Sequence, residues 1–136
     1  MKRTTAGLMA LMLAGCMPEP GFDGAAQFAA RCAGRHGAAA RGQGPLAAGL
    51  DPAPPDLTMI AARNGGRFDS NEVAAVIDGL NRGAHFSSAM PVFGDGDLGP
   101  PIMTEEDGNP VPIPADLLAL TEFLARLQRA PDGDPG

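Results

Sequence analysis

Between residues 34 and 55 the chain places Gly42, Gly44, Pro45, Gly49, Pro52, Pro54 and Pro55, a density of breakers that forbids any long helix or strand there. A second irregular stretch runs from Arg82 to Pro114. Regular structure is therefore confined to four short runs. Asp23 can cap a helix reaching about Cys32, in which Phe22, Ala25, Phe28 or Ala29, and Cys32 recur at helical spacing. Asp56 caps a second helix through Asn64, with Leu57, Ile60 and Ala61 on one face and Gly65-Gly66 as its stop. Asp69 with Glu72 imitates a capping box for a third, where Val73, Val76, Ile77 and Leu80 follow the i, i+3, i+4, i+7 pattern up to Gly79. The last helix is expected from about Ala115 to Arg129, with Leu117, Leu120, Leu124 and Leu127 as its stripe and Glu122 paired to Arg126. No stretch alternates long enough to read as a strand, and no repeat is present. The expected fold is all-α, a small domain of about four helices over residues 22–130.

Such a domain has little to build a core from. The 136 residues include 19 Gly and 14 Pro but no Trp and no Tyr, so six Phe are the whole aromatic supply. That length allows one small domain and leaves no room for a dinucleotide-binding or barrel enzyme. Acidic residues outnumber basic ones 16 to 10, for a net charge of −6, which argues against a nucleic-acid partner. A thin core among many turns implies that something other than side chains completes it.

Residues 1–15 are expected to be removed. Lys2 and Arg3 precede an uncharged, apolar segment from Thr4 to Gly15, the charged and hydrophobic regions of a secretory signal. It is too short to span a bilayer. Leu13-Ala14-Gly15-Cys16 resembles a bacterial lipobox, in which the Cys is acylated and becomes the mature N-terminus. Cys16 would thus anchor the protein in a membrane facing the periplasm, with residues 16–21 as a tether and residues 131–136 as a disordered tail. Loss of Lys2 and Arg3 takes the formal charge from −6 to −8. Cys32 is then the one thiol left, so no internal disulfide can form, and an unpaired Cys in an oxidising compartment needs a partner chain, a cofactor or a reason to stay free.

The chemistry lies in Cys32-Ala33-Gly34-Arg35-His36-Gly37, preceded by Gly24-Ala-Ala-Gln-Phe28 and followed by Gly42-Gln-Gly-Pro45-Leu46, Pro54-Pro-Asp-Leu-Thr58, Ala89-Met-Pro-Val-Phe-Gly94 and the closing helix around Phe123. In this order these elements resemble the class I cytochromes c, across nearly the whole expected mature chain. The resemblance implies a helical fold around one haem, with Cys32 as the first attachment cysteine, His36 and Met90 as axial iron ligands, and Pro45 as the source of the carbonyl that holds the His36 ring. Iron with both axial positions filled implies electron transfer without substrate chemistry, so no enzymatic activity is expected; the implied partners are redox proteins of a respiratory chain. Met90 would supply a soft thioether, which raises the reduction potential. Pro91 would fix the backbone beside it.

The departure is Arg35, which stands where the family has its second attachment cysteine. At most one thioether bond is then available, through Cys32, and the alternative is haem held without a covalent bond. A second reading is a haem-free pseudo-cytochrome that serves as an interaction module. A third is a periplasmic copper site using the soft donors Cys32, Met90 and Met103 with His85. Asp95 and Asp97 lack the rest of a calcium loop, Gly94 to Gly99 lacks the Lys of a phosphate loop, and Glu105-Glu106-Asp107 reads as a solvated loop.

Overall fold

A computed structural model of the chain describes residues 22–81, 90–93 and 96–130. In chain order the elements are α1 (Gly24–Arg31), α2 (Ala33–His36), a 3-10 turn (Leu57–Met59) running into α3 (Ile60–Arg63), α4 (Ser70–Asp78), β1 (Pro101–Glu106), β2 (Asn109–Pro114) and α5 (Ala115–Arg126). The expected signal, the Cys16 tether and the 131–136 tail lie outside the described residues, as does His85. No helix among the described residues is long and apolar enough to cross a membrane.

Helices α1 and α4 and the 3-10 turn each start on the aspartate that the sequence offers, whereas α5 follows Pro114 with no side-chain cap. Asp23 accepts hydrogen bonds from the backbone N–H groups of Ala25 (2.9 Å) and Ala26 (3.1 Å). Asp56 accepts from Thr58 N (2.8 Å) and Asp69 from Glu72 N (3.1 Å). These contacts satisfy donors that the first helical turn leaves unpaired. Gly79, at φ 87°, closes α4 in the left-handed conformation.

The all-α expectation is corrected by the segment before α5. Residues 101–114 form an antiparallel hairpin, with Thr104 opposite Val111 and Ile102 opposite Ile113, so the fold mixes helices with a two-stranded sheet. Its turn is Asp107-Gly108, at φ 50° and 79°, the residue pair and the positive angles that a tight two-residue hairpin requires. Prolines disguised the second strand. Pro110, Pro112 and Pro114 fall at alternate positions opposite Glu105, Met103 and Pro101, where a strand nitrogen faces away from its partner and no ladder bond is lost. The same prolines strip N–H groups from the outer edge of β2 and discourage a further strand from pairing there.

Packing centres on α5. Leu117, Leu120, Thr121 and Leu124 are buried on it, and Phe28, Ala74, Ile77, Phe93, Leu98 and Ile113 from the other elements complete one core. The α1 helix crosses α5 at Gly24, so closely that a Cβ there would occupy the space of the Ala119 carbonyl. Beside this crossing the Phe28 and Phe123 rings meet with centroids 5.4 Å apart. The expected Glu122–Arg126 pair is not formed; Arg126 turns onto the Phe123 face, 6.0 Å from its centroid.

Helix α5 stops at Arg126 rather than Arg129 because the next residues are recruited elsewhere. Gln128 accepts from Ala61 N (2.9 Å) and donates to Leu57 O (2.9 Å), while Arg129 donates from its backbone N to Thr58 O (2.9 Å) and from Nε to Thr58 Oγ1 (3.0 Å). Arg129 also pairs with Asp56 at 3.3 Å. The Thr58 hydroxyl, donating to Asp56 at 2.6 Å, and then the Thr58 amide and Arg129 hold the Asp56 carboxyl below its ordinary 3.8. A carboxylate shifted downward stabilises the fold above its unfolded value and ceases to do so as pH falls through the folded one. Acid titration followed by far-UV circular dichroism should therefore show stability held above pH 3.8 and falling below it. Asp56→Asn should be less stable at neutral pH and should show a shallower decline over that acid window.

Candidate functional site

Helices α1, α4 and α5 and the loop from Leu50 to Leu57 surround a single open cavity of about 810 Å³, within the roughly 300–1,000 Å³ that small-molecule and cofactor sites occupy. Its walls are mainly apolar: Phe28, Leu57, Ile60, Val73, Val76 and Ile77 face it, with Leu120 and Leu124 behind. Cys32, His36 and Met90, three of the residues singled out in the sequence, all line it. Two come from adjacent turns of the chain and the third from a segment 54 residues beyond His36.

The position of His36 is fixed by the loop that follows it. Helix α2 is one turn long, and its last carbonyls would lack partners. Leu46 N donates to Gly34 O (2.8 Å), Gly44 N to Arg35 O (3.0 Å) and Gly42 N to His36 O (2.8 Å). Gly44 has to be glycine, because a Cβ would lie within 2.6 Å of the Arg35 backbone. The breaker-rich stretch after the motif thus folds back as a cap on α2.

His36 itself is buried, 7% exposed. Its Nδ1 lies 3.3 Å from Pro55 O; a carbonyl only accepts, so Nδ1 carries the hydrogen and Nε2 keeps its lone pair. Pro45, expected to supply this carbonyl, does not. It is exposed, sits in the 44–47 turn and is absent from the cavity wall, and Pro55 takes the role because the Pro52–Pro55 run passes over the ring. No local signal distinguishes the two prolines, since only the fold-back of the loop decides which carbonyl arrives. Nε2 has no hydrogen-bond partner among the described residues. Burial, and then the Arg35 charge, push the imidazole pKa below its ordinary value against the opposing pull of Pro55 O. The ring is therefore neutral at neutral pH, the form in which it can act as a metal ligand.

Cys32 is half-buried and unpaired. Burial pushes its thiol pKa up, outweighing the nearby Arg31 and Arg35 charges, so it remains protonated at neutral pH. Met90 is half-buried, and the segment it opens is tied to α4 by Phe93 N donating to Ile77 O (3.2 Å). Met103 does not join them; it lies on the hairpin, 62% exposed. His85 is outside the described residues. The copper donor set is thus gathered only as far as Cys32 and Met90.

The cavity also has charged members that hydrophobic periodicity does not select: Arg31, Arg35, Arg63 and Glu72. The Arg31 guanidinium stacks over Phe93, 4.8 Å from the ring centroid.

Such a site can hold a large, mostly apolar molecule and offer it one imidazole nitrogen, one thioether and one thiol. A buried lone-pair nitrogen oriented by its ring partner and without a hydrogen-bond donor among the described residues fits iron ligation, and the apolar walls fit a macrocycle. Comparison with protein-family models, with curated proteins and with solved structures finds no significant match.

Proposed function

We propose that the chain is an exported electron-transfer protein whose cavity holds one haem, with His36 and Met90 as the axial ligands and at most one thioether bond, through Cys32. What carries this reading is the convergence of those three side chains on one apolar cavity, with the His36 ring held by Pro55 O so that Nε2 is the nitrogen left for iron. Bound haem would supply a one-electron iron couple. The protein's own residues hold and tune it: Pro55 orients His36, the Leu, Ile, Val and Phe walls exclude water, and the thioether of Met90 favours the ferrous state. Lipidation of Cys16 would keep the protein at a membrane facing the periplasm, where redox proteins are its partners. The short core supports the same reading, since a haem is a large apolar disc and the chain has only six aromatic residues to take its place.

Protein purified from a host with working cytochrome maturation should be coloured, with a Soret band and a sharpened α-band on reduction. Acid–acetone extraction separates the two modes of attachment, because a thioether to Cys32 leaves haem on the chain and a non-covalent site releases all of it. Colourless protein from such a host would overturn the proposal. Arg35, in the place of a second attachment cysteine, favours one other reading, a haem-free interaction module. That reading requires cooperative melting of the cofactor-free chain.

A further inference from the structure

Arg35 lies on α2 between two residues of the site, and its charge acts on both the Cys32 thiol and the His36 ring. It is half-buried and lines the cavity. Unlike Arg67 and Arg129, which pair with Asp69 and Asp56, and unlike Arg31 on Phe93, its side chain has no ion pair, hydrogen bond or ring partner among the described residues. A guanidinium held against an apolar cavity without a counter-charge is costly. Three arginines against one glutamate make this cavity wall cationic in a chain of net charge −6.

We propose that Arg35 is an anion anchor that grips a carboxylate of the molecule filling the cavity. This rests on the haem reading in its non-covalent form: the carboxylate is then a haem propionate and Cys32 makes no thioether, because the vinyl and propionate groups stand on opposite edges of the macrocycle. Planar, bidentate pairing of guanidinium with carboxylate suits Arg and not Lys. In this chain the residue that replaces the second attachment cysteine exchanges a covalent hold for an ionic one. The consequence for selectivity is direct, since a porphyrin without free carboxylates loses the contact while its apolar face still fits.

The test uses the chain from Cys16 onward, purified free of haem and titrated with haemin or with haemin dimethyl ester while the Soret band is followed. The wild-type protein should bind haemin tighter than the ester by about tenfold to a hundredfold, the range of a hydrogen bond to a charged partner. Arg35→Gln should lose that preference by weakening haemin alone, and Arg35→Lys should recover part of it. Ester binding by Arg35→Gln at the wild-type level also shows that the variant folds. Equal binding of haemin and ester by the wild type, or an equal loss of both in Arg35→Gln, would overturn the anchor and leave the haem reading intact. If neither compound develops a Soret band with the wild type, the haem reading falls and the anchor falls with it.

Discussion

His36→Ala is expected to yield protein with almost no non-covalently bound haem, its affinity down by more than a hundredfold. Loss of even an outer partner of a ligating His costs about 10–100-fold in metal affinity, and alanine removes the proposed ligand itself. Among the described cavity residues His36 is the sole imidazole: Cys32 is a thiol whose pKa burial raises, and Arg35 cannot donate a lone pair. Met90→Ala should differ in kind, keeping haem through His36 and the apolar walls but leaving one axial position to water or another small ligand. Haem content per chain, from the pyridine haemochrome, and the ferric spin state measure the two effects. Full occupancy of His36→Ala by haem that acid–acetone extracts would show that His36 is not the ligand.

Gly24→Ala should be severely damaging although Gly24 lies outside the cavity wall. The added Cβ would coincide with the backbone carbonyl of Ala119 and come within 2.9 Å of the Phe123 Cβ, so no side chain can rotate away and the α1–α5 crossing must open. Overpacking costs about 1–3 kcal/mol where side chains can adjust, and a backbone clash belongs at or beyond the upper end. At about 4–8 °C per kcal/mol for a domain of this size, the melting temperature should fall by roughly 12 °C or more. Gly65→Ala is the control. Its Cβ would meet nothing within 4 Å, and only its φ of 66° opposes the change, so a loss of about 1 kcal/mol is expected. Melting of both variants by far-UV circular dichroism checks the contrast, and similar losses would place the effect in glycine conformation rather than in the crossing.

The helices and their starts were legible because they rest on local chemistry. Asp23, Asp56 and Asp69 each bond a backbone N–H two or three residues ahead, and the Leu117, Leu120 and Leu124 stripe of α5 faces the core as expected, whereas on α4 Ile77 is buried, Val73 and Val76 are half-buried and Leu80 is 80% exposed. What escaped depends on contacts between distant segments or on a misleading residue type. The α2 turn is too short to show periodicity and survives because residues 42–46 cap it. The hairpin was hidden by prolines, although Asp107-Gly108 between Ile102-Met103-Thr104 and Val111-Pro112-Ile113 carried its turn signal. In the site, the motif spacing brought Cys32, His36 and Met90 to one cavity. It misassigned the carbonyl facing His36 to Pro45, because the choice between Pro45 and Pro55 is made by the path of the loop. The charged wall of Arg31, Arg35 and Arg63 was invisible to apolar periodicity.

Near-infrared magnetic circular dichroism of the ferric protein tests the central claim most directly, because its charge-transfer band reports which two side chains ligate the iron. The account predicts low-spin haem, one per chain, with an imidazole–thioether signature that disappears in Met90→Ala. Haem with a signature unchanged in both Met90→Ala and His36→Ala, or no haem at all from a host that supplies and matures it, would contradict the account.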